Sequence, residues 1–222
     1  MPPTLLLHPL ASYCHKVLIA LYEREVPFVP QHVDLADPAS AADLLAAWPI
    51  GKIPLLRDGD RVVPETSIII EHLDRRHPGP PLVPADPAEA LEARLWDRFF
   101  DLYVSTPIQK IVVDRIRPDG ARDPHGVAEA RGTLRTAYGQ LEARMASRTW
   151  AIGDRFTLAD CAAAPALFYA ECVAPFSGTH PAAGRYLERL VARPSYARTL
   201  EEARPWFRDF PYREGLPARF RP

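Results

Sequence analysis

Five prolines lie within ten residues near the end of the first third of this chain. They occupy positions 78, 80, 81, 84 and 87. Proline has no backbone N–H and fixes φ, so neither a helix interior nor a central strand accepts this density. The segment predicts an interdomain linker over residues 81–87, which separates a domain of residues 1–80 from a domain of residues 88–222.

The composition sets limits on the class of protein. The chain has 222 residues, 47% apolar and 25% charged, with a net charge of −1, as expected of an ordinary globular protein. The near-neutral charge argues against nucleic acid or an anionic membrane as the main partner. There is no apolar run of about 18–20 residues and no charged secretory segment at the N-terminus. Three cysteines without zinc-type spacing favour a reduced, metal-free, cytoplasmic protein.

The first domain alternates strand and helix patterns in the order β-α-β-α-β-β-α. Asp58-Gly59 is a strong hairpin signal between two short apolar strands. The predicted strands cover residues 4–7, 27–33, 53–56 and 61–63, and the predicted helices cover residues 13–24, 39–47 and 67–76.

The second domain shows almost only helical periodicity. The spacing predicts one long helix over residues 88–115, which Pro107 should kink. Thr157 and Asp160 have the spacing of a capping box at the start of another helix. The aromatic-rich tail from Pro205 should pack on the body. The remaining predicted helices cover residues 126–147, 158–172, 181–192 and 195–204.

Two dipeptides in the first domain suggest a binding site for an extended ligand. Ile53-Pro54 precedes a strand, and proline makes a cis peptide bond accessible at a cost of only about 0.5–1 kcal/mol. A cis bond there would leave the backbone N–H and C=O of Ile53 to pair with the ligand. Glu65-Thr66 opens the helix that follows the hairpin. A carboxylate and a hydroxyl at a helix start can hold an ammonium and a carboxylate group.

Four stretches of the chain resemble the glutathione transferases. They are SYCHKVLIAL at 12–21, PIGKIPLL at 49–56, PETSII at 64–69 and GDRFTLAD at 153–160. The resemblance covers nearly the whole chain and is closest to cytosolic, serine-type, bacterial-like members, with some zeta-like features and the class left open. It implies an α/β thioredoxin-like N-terminal domain and an all-α helical-bundle C-terminal domain. It also implies glutathione as co-substrate, no metal, and usually a homodimer.

Glutathione must lose its thiol proton before it attacks an electrophile. Lowering a thiol pKa by two units requires about 2.7 kcal/mol of preference for the anion. One hydrogen bond to a charged acceptor supplies about 1.5–3 kcal/mol, and a helix N-terminus adds about 0.3–1 kcal/mol. Ser12, at the start of the first helix, is therefore predicted to stabilise the thiolate. The alternative is that Ser12 only caps the helix.

The position of Ser12 departs from the family pattern, and Cys14 is its rival. The resemblance places the activating serine five residues before the basic position Lys16, where this chain has Ala11. Zeta-like members carry two adjacent hydroxyls, and Ser12 matches the second. Cys14 can form a mixed disulfide with glutathione or can be a packed side chain. His15 is predicted to be a surface residue.

The resemblance assigns the remaining glutathione contacts. Glu65 pairs with the γ-glutamyl ammonium, and Thr66 holds the α-carboxylate. The backbone of Ile53, set by Pro54, pairs with the cysteinyl unit, and Lys52 reaches the glycyl carboxylate. The electrophile would lie between the domains against the helix 88–115, where Tyr103 is the named candidate.

The sequence thus predicts a glutathione transferase for apolar electrophiles. One alternative is a zeta-like, glutathione-dependent cis–trans isomerase of the maleylacetoacetate type, which expects two hydroxyls where this chain has only Ser12. Another is a non-catalytic glutathione-binding or interaction protein, which Ala11 favours. A homodimer would find charges to pair in Asp58, Arg61, Arg75 and Arg76.

Overall fold

The N-terminal part is a four-stranded mixed sheet with helices on both faces. A computed structural model describes residues 1–34 and 37–221. The strand order is β2-β1-β3-β4, with β1 parallel to β2, and with β3 antiparallel to both β1 and β4. The strands are β1 (Thr4–Leu7), β2 (Val29–His32), β3 (Leu55–Asp58) and β4 (Arg61–Pro64). This confirms the predicted thioredoxin-like architecture.

The three consecutive leucines of β1 explain why helices cover both faces of the sheet. Leu5 and Leu7 pack with α1 (Ser12–Glu23) and α3 (Thr66–Arg76) on one face, whereas Leu6 packs with Leu44 of α2 (Pro38–Ala47) on the other. Side chains alternate between faces along a strand, so an unbroken apolar run is buried only when both faces are covered.

The second half is helical, as predicted. Most predicted helix limits agree with the observed ones to within one or two residues. The helices are α1 (Ser12–Glu23), α2 (Pro38–Ala47), α3 (Thr66–Arg76), α4 (Pro87–Phe99), α5 (Thr106–Ile116), α6 (Pro124–Met145), α7 (Leu158–Val173), α8 (Pro181–Ala192) and α9 (Pro194–Ala203).

The helical run predicted over residues 88–115 is observed, but it is not one continuous α-helix. Helices α4 and α5 are separated by a π-helical segment, Phe100–Ser105. Pro107 is the second residue of α5 and has no N–H to donate to the preceding turn, and the helix is widened to a π-helical turn just before it. The Thr106 hydroxyl donates to the Asp101 carbonyl oxygen at 2.9 Å, and the Thr106 backbone N–H donates to the same oxygen.

The predicted linker is bonded to both halves of the molecule. Arg24 donates to the Pro80 carbonyl oxygen at 2.6 Å. The Val83 N–H donates to Asp74 at 2.9 Å. On the helical side, the Leu158 N–H donates to the Leu82 carbonyl oxygen at 2.9 Å. These contacts satisfy backbone groups that the prolines exclude from regular structure.

Helix α7 forms the centre of the helical part. Nearly all of its side chains are buried, including the polar Asp160. The predicted capping box of Thr157 and Asp160 is present. The aromatic tail packs as predicted, because Phe207 and Phe220 both contact the ring of Phe168. None of the described helices is long and apolar enough to cross a membrane.

A buried ion cluster joins α1 to the helical part. The Lys16 side chain is 1% exposed, and its Nζ lies 2.6 Å from Asp97 Oδ1 and 2.8 Å from Asp101 Oδ2. The Ser67 hydroxyl donates to Asp97 Oδ2 at 2.6 Å. One cation thus connects α1 and α3 of the sheet domain with α4 and the π-helical segment.

Candidate functional site

One cleft collects most of the predicted site residues. It has a volume of about 750 Å³ and lies where the sheet domain meets the π-helical segment and α5. The predicted residues that line it are Ser12, Lys52, Ile53, Pro54, Glu65 and Thr66. Forty residues or more separate Ser12 from the others in the chain, so tertiary folding creates this site.

The N-terminus of α1 opens onto the cleft. Ala11 is the capping residue, and its carbonyl oxygen accepts the Cys14 N–H at 2.8 Å and the His15 N–H at 3.1 Å. Ser12 is therefore the first helical residue, and the capping role weighed for Ser12 is wrong. The N–H groups of Ser12 and Tyr13 donate to no described residue. The site thus combines a hydroxyl with the positive end of a helix dipole.

Cys14 and His15 point into the protein interior. Cys14 is completely buried beneath the sheet, and burial raises the pKa of its thiol to about 12. It does not line the cleft and is a neutral thiol at physiological pH. The predicted surface position of His15 is wrong: it is buried, and its Nε2 donates to the Pro9 carbonyl oxygen at 2.6 Å. Burial lowers the pKa of His15 to about 4, so the ring is neutral.

The hairpin end of the cleft contains two unusual backbone features. The Ile53–Pro54 peptide bond is cis. Glu65, which precedes α3, has a φ of 68°. This left-handed conformation costs a residue other than glycine about 1–2 kcal/mol. Such backbone strain is concentrated at functional positions, and Glu65 lies on the cleft wall beside the buried Thr66.

Two substitutions at Glu65 should distinguish the effect of its backbone conformation on stability from the effect of its carboxylate. Both Glu65→Ala and Glu65→Gly remove the carboxylate, but only glycine adopts a positive φ without strain. Because the added freedom of glycine in the unfolded chain offsets part of this gain, we expect Glu65→Gly to be about 1 kcal/mol more stable than Glu65→Ala. Urea unfolding measures the difference. Equal stabilities would show that the backbone at Glu65 is unstrained.

Lys52 stands at the rim of the cleft. Its side chain is exposed and makes no ion pair with any described residue. Among the described residues, no group of three or more His, Cys, Asp or Glu side chains is placed to hold a metal ion. The cationic Lys52 and the anionic Glu65 on the cleft wall suit an organic ligand that carries carboxylate and ammonium groups.

Sequence reasoning placed the helical stretch 88–115 at the site but missed which of its residues form the cleft wall. Arg98, Asp101 and Gln109 line the cleft, whereas the predicted Tyr103 does not. Tyr103 is 51% exposed, and its ring packs on Phe99. The π-helical segment changes the register of the helix, so the facing positions cannot be counted from a continuous α-helix.

Asp101 is the missed residue with the most distinctive environment. It belongs to the Lys16 cluster and also lines the cleft. Burial raises the pKa of its carboxyl, and the neighbouring Lys16 opposes that rise. The Tyr13 hydroxyl donates to the Asp101 carbonyl oxygen at 3.4 Å. Charged residues in a predicted helix are usually solvated, so the sequence carried no signal for this burial.

A second cavity of about 300 Å³ adjoins the first at Ser12. The two share Leu10, Ala11, Ser12 and Gln109. The rest of its wall is mainly apolar: Ser105, Ile108, Val112, Ile116, Pro165, Ala166, Tyr169, Phe210 and Pro211. An apolar ligand in this cavity would contact the same serine as a ligand in the cleft.

Two family models match the chain in the same order as the two structural parts. The glutathione S-transferase N-terminal domain matches residues 7–81, and the glutathione S-transferase C-terminal domain matches residues 104–194.

Individual proteins extend the similarity over most of the chain. FtsZ-localized protein A of Caulobacter vibrioides is 30% identical, over 89% of this chain and 90% of its own. The stringent starvation protein A homolog of Coxiella burnetii is 29% identical, over 93% of this chain and 95% of its own. A glutathione S-transferase of Methylobacterium radiotolerans, solved with glutathione sulfonate, superposes with a TM-score of 0.80 at 30% identity, covering 90% of this chain and 94% of that one. The chain belongs to the glutathione S-transferase family.

Proposed function

We propose that the protein is a glutathione transferase that joins the glutathione sulfur to an apolar electrophile. The observation that carries the proposal is the meeting of two cavities at Ser12. One is polar and contains Lys52, Glu65 and Thr66, and the other is apolar. The similar Methylobacterium radiotolerans enzyme, solved with glutathione sulfonate, supports glutathione as the ligand of the polar cleft.

Glutathione fits the polar cleft with its γ-glutamyl end at α3. The Glu65 carboxylate pairs with the ammonium group, and the Thr66 hydroxyl and N–H hold the α-carboxylate at the helix N-terminus. The backbone of Ile53 pairs with the cysteinyl unit. Lys52 is free to pair with the glycyl carboxylate at the rim. This orientation directs the thiol towards Ser12.

Ser12 and the start of α1 stabilise the thiolate. The hydroxyl donates a hydrogen bond worth about 1.5–3 kcal/mol to the sulfur anion, and the helix end adds about 0.3–1 kcal/mol. Together these lower the thiol pKa by one to two units or more, since one unit corresponds to about 1.4 kcal/mol. The thiol proton leaves to solvent, the sulfur forms a bond to the electrophilic carbon, and the leaving group departs with its bonding electrons.

Replacing Ser12 by alanine tests this assignment. We expect Ser12→Ala to lower kcat/KM by about 10- to 100-fold and to raise the pKa of bound glutathione, because the charged hydrogen bond is lost. Its Kd for glutathione should change little at a pH below the thiol pKa. Ultraviolet absorbance of the thiolate during glutathione titration and steady-state rates with an aryl halide give both quantities.

Two matched variants make the result specific. Thr66→Val should weaken glutathione binding without changing the thiol pKa, because it acts at the other end of the peptide. Cys14→Ala should leave the thiol pKa unchanged, since Cys14 lies outside the cleft. Glutathione binding with no thiolate in the wild type would refute the transferase proposal.

A second candidate is a glutathione-binding interaction protein without turnover. Ala11 occupies the position where the family pattern has the activating hydroxyl. Two similar relatives bear names that refer to FtsZ localisation and stringent starvation rather than to transfer. Tight glutathione binding combined with an ordinary thiol pKa is the outcome that would favour this candidate.

The proposal includes a homodimer, which the family resemblance implies, in the cytoplasm, which the cysteine content favours. Two of the charges considered for its interface already interact within the chain. Asp58 lies 2.8 Å from His72 Nε2 and 3.8 Å from Arg76 Nε. Sedimentation velocity measures the assembly state directly.

A further inference from the structure

A third cavity continues the path that begins at Ser12. It is open to solvent, has a volume of about 830 Å³, and shares Ile116, Phe210 and Pro211 with the apolar cavity. The polar cleft, the apolar cavity and this third cavity are therefore consecutive. The aromatic wall between the last two is held in place, because the Phe210 ring packs at 5.1 Å from that of Tyr169.

Arginines dominate the third cavity. Its charged lining consists of Arg115, Arg208, Arg213 and Arg221 against two carboxylates, Asp209 and Glu214. We call these four arginines the arginine cluster.

Only part of the arginine cluster is neutralised. Arg115 pairs with Glu214, and Arg208 lies 3.5 Å from Asp209. Arg213 donates to the Arg208 carbonyl oxygen at 3.2 Å, and Arg221 donates to the Leu216 carbonyl oxygen at 2.8 Å. Neither forms an ion pair with a described carboxylate, so both keep charge and donors for a ligand. The planar guanidinium group matches a carboxylate in particular.

The length of the path from the polar cleft to the third cavity follows from the spacing of two residues on α5. Gln109 lines both the polar cleft and the apolar cavity, and Ile116 lines both the apolar cavity and the third cavity. Seven residues at a rise of 1.5 Å separate them by about 10 Å. A ligand that spans this distance has an apolar middle along Ile108 and Val112.

We propose that the natural electrophile is an elongated acid: a reactive carbon at Ser12, an apolar body about 10 Å long, and a terminal carboxylate bound by Arg213 and Arg221. The inference rests on the proposed transferase function and names the substrate class for it. An apolar cavity alone would accept any small hydrophobic electrophile. The arginine cluster at its far end selects compounds that carry an anion at that distance.

A suitable probe is a straight-chain enone with a carboxylate at the end remote from the double bond. The glutathione sulfur forms a bond to the β-carbon, and the π electrons of the double bond move to the α-carbon. The α-carbon then takes a proton equivalent to the one lost by the thiol. No group leaves. The methyl ester of the same compound is the control, because it has the same reactive enone but no charge.

The experiment compares the acid and its ester in two assays. Calorimetry measures binding of the saturated keto acid and its methyl ester, which requires no turnover. Steady-state kinetics with glutathione measures KM for the two enones. We expect the wild type to prefer the acid by about tenfold in Kd and in KM, corresponding to one charge-assisted contact of about 1.4 kcal/mol.

Substitutions identify the residues that cause the preference for the acid over the ester. Arg213→Gln combined with Arg221→Gln should reduce the acid-to-ester preference to about one, and added salt should weaken the wild-type preference. Arg135→Gln, on the exposed face of α6, is the matched control and should keep the preference. Equal binding of acid and ester to the wild type would overturn the inference, as would an equal loss for both compounds in the double variant. Preferential binding of the acid without turnover would instead refute the transferase function alone.

Discussion

Lys16→Met is expected to destabilise the protein by about 3–5 kcal/mol. Methionine retains the length and apolar stem of the lysine but removes its charge. Asp97 and Asp101 would then lose the buried cation that contacts both, because the Lys16 Nζ lies 2.6 Å and 2.8 Å from them. Among the described cationic side chains, only the exposed guanidinium of Arg98, 3.9 Å from Asp101, would remain nearby. Leaving a buried carboxylate unpaired costs much more than the intact pair contributes.

The effect of Lys16→Met should depend on pH. Burial already raises the pKa of Asp101, and Lys16 opposes that rise. Removing Lys16 raises the folded-state pKa of Asp101 further above its unfolded value. The variant gains stability as the pH falls through this folded-state pKa and loses it as the pH rises. The difference from the wild type should therefore be largest at neutral pH and smaller in acid.

Urea unfolding at pH 7 and pH 5 measures this prediction. The triple variant Lys16→Met with Asp97→Asn and Asp101→Asn is the matched control, because it removes all three charges together. It should recover a large part of the lost stability. A triple variant no more stable than Lys16→Met would show that the loss comes from packing and not from unpaired charge.

Asp160→Ala is expected to destabilise the protein by about 3–5 kcal/mol. Both carboxylate oxygens of this buried residue accept hydrogen bonds. Oδ1 accepts the Ala151 N–H at 2.8 Å and the Tyr186 hydroxyl at 2.6 Å. Oδ2 accepts the Thr157 N–H at 2.8 Å. Alanine would remove the capping box of α7 and leave these donors unpaired in the protein interior.

The control for Asp160→Ala is Tyr186→Phe, which removes one hydroxyl from the same network. It should cost about 1 kcal/mol. In the double variant the two losses should not add, because the tyrosine hydroxyl has already lost its acceptor. Thermal unfolding followed by circular dichroism measures all three variants. Additive losses would show that Tyr186 and Asp160 act independently.

The hairpin half of the cleft could be predicted from local sequence patterns. Ile53-Pro54 and Glu65-Thr66 lie on either side of one hairpin, so a strand, a turn and a helix start place them together. Short-range geometry of this kind follows from turn residues and periodicity. Ser12 was recognisable as a hydroxyl at a helix start, although the structure gives the capping position to Ala11.

The residues that the helical domain contributes to the site could not be predicted from local patterns in this way. The pattern over residues 88–115 is that of one helix, and it led to Tyr103 as the electrophile contact. In the structure, the π-helical segment Phe100–Ser105 places Asp101 and Leu102 on the cleft instead. A single widened turn changes no residue in the pattern, so periodicity cannot reveal it.

The burial of His15 and Lys16 could not be predicted from the sequence. The chain itself determined the strand and helix order, the proline linker and the residues of the hairpin site, because these depend on contacts between near neighbours. Tertiary structure alone decided that a lysine and two aspartates share the interior, and that an arginine cluster stands at the end of an apolar path from Ser12. Those features join residues far apart in the chain, and their energies arise only when packing removes water between them.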